Sequence, residues 1–433
     1  MNKKVIENAG WIIGCKIVKA ILSLLVTMLT ARYLGVSNYG LINYAAGLVA
    51  FASPLMQLGL DSVAVYELVN KKDSQGKTLG TIITLCAFSS LLCILGVVTF
   101  AAIANQGETE TIIVCGLYST LLIFQAMEMI QYWFHAHLLA KYSSIAMLFS
   151  YVVVAIVQSI LIYKRASVYW FALSHSIDYL VISIILFNVY RKKEGQKLEF
   201  SFQTARQLLS VSRFYIVSSL MVTIFNNTDR VMLKLMISNE ATGIYSAAVT
   251  CASVTGFVYT AIMQSMRPVL FESKKENDEL FKSEIASLYS GIMYLSLFQC
   301  LIMTSLAPQI IKLLYGDKYI GADSALRFVV WFTTFSYIGT IRNIWILAEN
   351  QQRHLWKINA SGAVMNICLN YILIPSHGVI GAAVASVISQ FFTNVLVGFI
   401  IQDIRPNNTL MLKGIDPRYL LRFSSNIIRK TKK

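Results

Sequence analysis

Residues 78–104 read TLGTIITLCAFSSLLCILGVVTFAAIA, a run without one charged side chain. At about 1.5 Å of rise per residue, such a helix is roughly 40 Å long and exceeds the ~30 Å hydrocarbon core of a bilayer. A charge-free helix of that length belongs in lipid. Working outward, comparable apolar stretches lie near residues 9–34 and 40–66 before it, and 111–139, 143–163 and 168–190 after it. Beyond a polar break, a second set lies near 209–236, 241–268, 286–307, 325–348, 355–374 and 379–402. The pattern predicts an all-α membrane protein of about twelve transmembrane helices, with a short outer-surface helix around 310–319.

Composition agrees with that reading. Hydrophobic residues make up 56% of the 433 and charged residues 14%, against roughly 25% charged in ordinary soluble domains. A net charge of +15 would suggest nucleic acid in a soluble protein, but here its placement decides the matter, and no nucleic-acid partner is expected. With the N-terminus inside, about 25 Lys and Arg fall in the short inner connections and tails, and about 6 on the outer side. The positive-inside rule therefore predicts both ends in the cytoplasm of a bacterial inner-membrane protein. The opening MNKKVIENAG leads into a long apolar run with no cleavage-site pattern, so it is expected to persist as the first span. All seven cysteines lie in apolar stretches without metal-site spacing, and read as small packing residues.

The polar connection at 191–208, RKKEGQKLEFSFQTARQL, separates two halves that look alike. LGVSNYGLINYAAGLV in the first corresponds to LMISNEATGIYSAAVT in the second, setting Ser37 and Asn38 against Ser238 and Asn239, and Gly40 with Ala45 against Gly243 with Ala247. The expected organisation is a six-helix lobe at 1–190, a cytoplasmic linker at 191–208, a second six-helix lobe at 209–402 and a basic cytoplasmic tail at 403–433. Parallel repeats of this kind are typical of alternating-access transporters. In the tail, DPRYLLRFSSNIIRK alternates apolar with basic residues, suiting either an amphipathic helix on an anionic leaflet or a disordered basic tail.

Catalytic signatures are scarce. The chain carries no Gly-rich phosphate loop ending in Lys-Ser/Thr, no HExxH, no CxxC and no GxSxG, so neither an enzyme nor a cofactor or metal is expected. His135 and His137 are two apart and would point to different faces of a helix. The informative residues are charges at membrane depth, each costing at least about 2.5 kcal/mol at a helix centre. Lys16 and Lys19 share one face of the first span. The seventh, TIFNNTDRVMLK, aligns Asn226, Arg230 and Lys234 in one stripe beside Asp229, and the tenth carries Arg342. Lys16, Lys19, Asn226, Arg230 and Arg342 are the candidates for a cationic cavity that takes an anionic solute. The alternatives are snorkelling to the headgroups for the lysines, Lys234 included, and simple ion pairing for Asp229 with Arg230. Asp61, Glu128, His175, Asp178 and Asp229 are the candidates for carrying a coupling ion or proton; His175 and Asp178, three apart, equally suit a structural polar pair. Pro54 is expected to kink the second span.

Three segments, ARYLGVSNYGLINYA, NNTDRVMLKLMISNEATGIYSAA and NASGAVMNICLNYILIPSHGVIGAAVASVISQ, resemble polysaccharide-type flippases of the multidrug/oligosaccharidyl-lipid/polysaccharide exporter superfamily, whose fold is MATE-like. The resemblance extends over nearly the whole chain. It implies two six-helix lobes around a V-shaped cavity, and transfer of a polyprenyl-pyrophosphate-linked oligosaccharide from the inner to the outer leaflet for O-antigen, lipopolysaccharide or capsule synthesis, driven by an ion gradient. It also implies membrane lipids, a polysaccharide polymerase and a chain-length regulator as partners. Competing readings are a drug exporter of the same fold, a membrane polymerase or ligase, and an assembly scaffold. Drug exporters would line the cavity with acids, and polymerases and ligases display a longer outer loop than any here.

Overall fold

The computed structural model describes residues 3–423, apart from the side chains of residues 3–10, Ile12, Ile13, Lys16 and Phe214. The chain is helical, with no strand among the described residues. Its first helix, α1 (Lys3–Gln57), would be about 80 Å long if straight, far more than a bilayer accommodates. It is broken at Gly35 (φ 73°, ψ 175°), in the LGVSN segment. The same device recurs in α15 (Leu355–Phe391), broken at Gly378 (φ 58°, ψ −133°) three residues after Pro375. Both backbone conformations suit glycine, which has no Cβ to clash.

Between these lie α2 (Leu60–Asn70), α3 (Gln75–Ala104), and a bent span made of α4 (Thr109–Ser119), α5 (Leu121–Glu128) and α6 (Gln131–Ala136). Then follow α7 (Ala140–Tyr163), α8 (Val168–Lys192), α9 (Phe202–Met236), α10 (Asn239–Ser253), α11 (Gly256–Glu276), α12 (Asp278–Ser305), the short α13 (Ala307–Tyr315) and α14 (Ala322–Ala348). After α15 come a π-turn at Phe392–Leu396, α16 (Val397–Ile400) and α17 (Arg405–Lys413). Among the described residues, 7 helices are long and apolar enough to cross a membrane, or 9 with α10–α11 and the bent α9 counted as single spans. Dividing the two longest at Gly35 and Gly378, and adding α14 with its internal Arg342, makes the count consistent with twelve. Pro54 lies near the end of α1, and the interruption falls just after it, at Leu58 (φ 53°) and Gly59 (φ 66°), before α2 begins.

Contacts divide the chain into two compact units, Met1–Gly243 and Ile244–Lys433. The first packs around Tyr44, Leu48, Met56, Leu60, Cys86 and Leu122, all 5% exposed or less. Its α9 lies along α1: a Cβ on Gly47 would sit 3.1 Å from the Val231 side chain. The repeat-related glycines meet here. A Cβ on Gly40 would lie 2.8 Å from the Gly243 amide nitrogen and closer still to the Asn239 carbonyl, and one on Gly243 would meet Val36. Glycine at both positions lets two backbones cross in contact.

The connection at 191–208 is strapped to the first unit. Gln196 accepts from the Gly76 amide (2.9 Å) and donates to the Lys72 carbonyl (2.9 Å), the Tyr190 hydroxyl donates to the Gln196 carbonyl (2.6 Å), and the Ser201 amide donates to Thr81 (3.0 Å). Gly76 and Gly80 make room on α3 for Lys197 and Glu199.

The second unit is built around Ile285, Tyr289, Ile341 and Trp345. The start of the basic tail also packs on it. The Tyr289 hydroxyl donates to Asn407 (3.0 Å), that of Ser287 to the Tyr419 carbonyl (3.1 Å), and that of Tyr294 to the Ile415 carbonyl (2.7 Å). Phe423, 9% exposed, covers Gly291. Residues 417–423 are helical and held by protein, with Leu421 turned outward at 73% exposure; the remaining expected basic and apolar positions from 424 lie outside the described residues.

Candidate functional site

Polar side chains inside the first unit gather where α1, α5, α7 and α8 meet. Two layers tie these helices together. In one, Thr30 donates to Gln158 (3.2 Å), and Gln158 donates to Ser174 (3.0 Å), linking α1, α7 and α8. In the other, the Lys19 ammonium lies 3.3 Å from the Asp178 carboxylate and 5.3 Å from the centre of the Tyr151 ring. The Ser150 hydroxyl lies 2.7 Å from an Asp178 carboxylate oxygen and 2.6 Å from its carbonyl. The Lys19 and Asp178 side chains are 27% and 17% exposed, so the pair is partly reachable.

Glu128, 7% exposed, ends α5, and Lys19 and Asp178 are the charges whose fields reach it. Among the described side chains, one lysine thus faces two carboxylates. In a low-dielectric setting such a set is held by mutual attraction and hydrogen bonds, because each ion alone would be expelled or neutralised. The His175 ring lies tilted against that of Tyr118, with ring centres 4.8 Å apart, while Asp178 takes Ser150 and Lys19 as its bonding partners. Tyr179 lies in the fields of Glu128 and Asp178, and Tyr118 in that of Arg230.

Of the candidates on α9, Arg230 is half-buried with a guanidinium nitrogen 3.5 Å from Asn227, Asn226 is exposed, and Asp229 is buried at 5%. Lys234 does more than snorkel: it pairs at 2.7 Å with Glu108, in the turn between α3 and α4. That hydrogen bond holds the Glu108 carboxyl below its ordinary value of 4.5. Asp61 sits in the first turn of α2, with the Ser62 hydroxyl 3.5 Å away. The Lys16 side chain lies outside the described residues.

Arg342 corrects the cavity expectation. It is 1% exposed within the second unit, donating to the Thr393 carbonyl (2.6 Å) and to Asn343 (3.3 Å). The π-turn displaces carbonyls from the regular ladder, and the guanidinium takes one of them. In this structure Arg342 is therefore a buried packing and hydrogen-bonding group.

The sequence reading missed Ser150, Tyr118, Tyr151, Tyr179 and the Thr30–Gln158–Ser174 layer. One signal was available: Ser150 and Gln158 are eight apart in an apolar span, hence on one helical face. The pairing of Lys19 with Asp178 bridges 159 positions and leaves no such signal.

The chain is 24% identical to the probable low-salt glycan biosynthesis flippase Agl15 of Haloferax volcanii over 45% of its own length and 42% of the relative's. It is 22% identical to the capsular polysaccharide biosynthesis protein CapF of Staphylococcus aureus, over 89% of this chain and 96% of that protein. Among solved structures, the lipid II flippase MurJ in an inward closed conformation superposes with a TM-score of 0.71 at 16% identity, covering 97% of this chain and 99% of the other. An inward-facing MATE family multidrug transporter superposes at 0.68 and 15% identity, over 90% and 95% of the two chains. The fold is thus the MATE-like one that the residues resembled. Residues 5–274 match the polysaccharide biosynthesis protein family, and this multi-pass membrane protein belongs to that family.

Proposed function

We propose that the protein is a flippase that moves polyprenyl-diphosphate-linked oligosaccharide from the inner to the outer leaflet of the bacterial cytoplasmic membrane, by alternating access coupled to an ion gradient. The observation that carries this reading is the Lys19–Asp178–Glu128 cluster within the membrane-spanning helices. Ionisable groups at that depth are retained where a charged solute or ion must pass. Lys19 and Arg230 supply positive charge for the diphosphate, and Asp61, Glu128, His175, Asp178 and Asp229 supply groups able to carry the coupling ion. The names of the flippase and capsule relatives support the same substrate class. The parts expected to rock are the two repeats, 1–190 and 209–402, with both termini in the cytoplasm, and the product passes to a polymerase with its chain-length regulator.

A strain lacking the protein should accumulate lipid-linked repeat units on the inner face and lose surface polysaccharide, and wild-type protein should restore it. Normal display in the deletion strain would overturn the proposal.

A further inference from the structure

On the surface of the first unit a groove of about 420 Å³ runs along α7. Val152, Ala155, Ile156, Ser159 and Ile160 of α7 line it, with Leu22 of α1 beside them and Tyr163 at one end. Ala155 and Ser159, one turn apart, are its small members, and the room lies over them. The Ser159 hydroxyl donates to the Ala155 carbonyl (2.8 Å), so the lining asks for no polar partner. From Val152 to Tyr163 the groove follows the helix for about 16 Å, the depth of one leaflet of a ~30 Å hydrocarbon core. Because α7 is long and apolar enough to cross a membrane, a groove open on its face meets hydrocarbon chains.

Charge sets this groove apart from an ordinary lipid-facing hollow. Where it ends, the chain turns through two exposed cations, Lys164 and Arg165, and among the described residues neither side chain has an ion-pair or hydrogen-bond partner. The turn is fixed by its backbone: the Arg165 amide donates to the Ile162 carbonyl (3.1 Å) and the Ala166 amide to the Leu161 carbonyl (2.9 Å). The Tyr33 hydroxyl donates to the Ala166 carbonyl (2.8 Å), which brings the exposed Arg32 of α1 to the same end. On the proposed topology this is the outer side, where the sequence puts only about six cations, and half of those gather here. The positive-inside bias works against such a placement, so the three charges call for a local use.

We propose that the groove is a binding site for an anionic phospholipid of the outer leaflet. One acyl chain lies over Ala155 and Ser159, against Ile156, Ile160 and Leu22, and the headgroup phosphate meets Lys164, Arg165 and Arg32. Lipid already surrounds the groove, so apolar burial gives no preference for one lipid over another. The headgroup decides. Phosphatidylcholine brings its own cation and gains little at this end. Phosphatidylglycerol, with net negative charge, gains on the order of fivefold in affinity for each basic side chain it meets. Such a lipid stays with the protein in detergent and bridges α1 to α7.

The test is native mass spectrometry of the purified full chain in mixed micelles holding equal amounts of phosphatidylglycerol and phosphatidylcholine of distinct mass. Wild type should retain phosphatidylglycerol over phosphatidylcholine by at least about fivefold. Lys164→Gln combined with Arg165→Gln should abolish that preference. Ala155→Phe fills the groove and should lose retained lipid of either kind, and Ser159→Phe repeats the test one turn on; each is checked for a monodisperse elution profile. Lys312→Gln combined with Lys318→Gln, which removes two cations of the second unit, should leave the preference intact. Equal retention of the two lipids by wild type overturns the site. So does an unchanged preference after the 164/165 exchange, a preference lost equally with the 312/318 exchange, or wild-type retention in the two phenylalanine variants. Displacement of phosphatidylglycerol by an equal amount of polyprenyl phosphate would assign the groove to the carrier lipid, and a dimer that disappears with Ala155→Phe would assign it to a second copy; either overturns the phospholipid assignment. These results are read without transport, so they stand apart from polysaccharide display in the deletion strain.

Discussion

Substituting Gly40 by alanine tests the backbone crossing at its tightest point. The added methyl would sit 2.8 Å from the Gly243 amide nitrogen and nearer still to the Asn239 carbonyl oxygen. Ordinary carbon contacts begin at about 3.5 Å. The atoms in the way are backbone, which cannot rotate aside as a side chain can. The two backbones must therefore part by more than about 0.5 Å, and overpacking of this kind costs about 1–3 kcal/mol. Gly243→Ala meets Val36 across the same crossing and should cost a similar amount. Because either methyl opens one shared contact, the double variant should lose less than the sum of the singles. Thermal denaturation of the detergent-purified protein, followed by loss of the monodisperse peak, reads all three. Gly47→Ala, whose new methyl has its nearest neighbour in a Val231 side-chain carbon at 3.1 Å, provides the milder control. A Gly40→Ala protein that melts with wild type, or strictly additive singles, would refute the crossing.

Three further outcomes are expected. Gly76→Val should lift the strap at Lys197 and Glu199 from α3 and speed tryptic cleavage after Lys197 by about tenfold or more, since cleavage follows opening; unchanged cleavage would mean that the strap is not held there. Arg342→Ala should cost about 1–3 kcal/mol by leaving the Thr393 carbonyl without its buried donor, seen as a lowered melting temperature; a variant as stable as wild type would show that the π-turn does not need that donor. Glu108, held below its ordinary value of 4.5 by Lys234, contributes stability that is fully present above that pH and lost as pH falls through its depressed folded value. Glu108→Gln should lower the melting temperature in the neutral region and converge on wild type at the acid end, so that the acid limb is flatter, and a profile identical to wild type across the range would contradict the pairing.

The apolar spans were legible because lipid imposes a length and a composition that sequence displays directly. At Gly35 and Gly378 the expected span boundaries fall in the right places, but the helix continues through the junction and breaks at the glycine instead of giving way to a turn. The strap and the tail were less legible for a different reason. RKKEGQKLEF and RPNNTLMLK look solvated, yet Gln196, Asn407 and Asn408 spend their hydrogen bonds on backbone and on Tyr289. Polarity in a sequence does not distinguish a group facing water from one facing a buried carbonyl. The same ambiguity explains Arg342, which reads as a cavity charge and serves a displaced carbonyl. In the candidate site, every charged member was visible as a charge at membrane depth. Which charges meet was not, because Lys19, Glu128 and Asp178 come together only through the packing of α1, α5, α7 and α8.

The central claim is translocation, and reconstitution measures it most directly. Purified protein in liposomes carrying a labelled polyprenyl-diphosphate oligosaccharide, with a pH gradient imposed, is sampled by a glycosidase confined to one side. The account predicts that labelled sugar crosses to the enzyme's side with the wild-type protein, and that crossing falls to the protein-free rate with Lys19→Gln of equal abundance and elution profile. Crossing no faster than in empty liposomes, under either gradient direction, would contradict it.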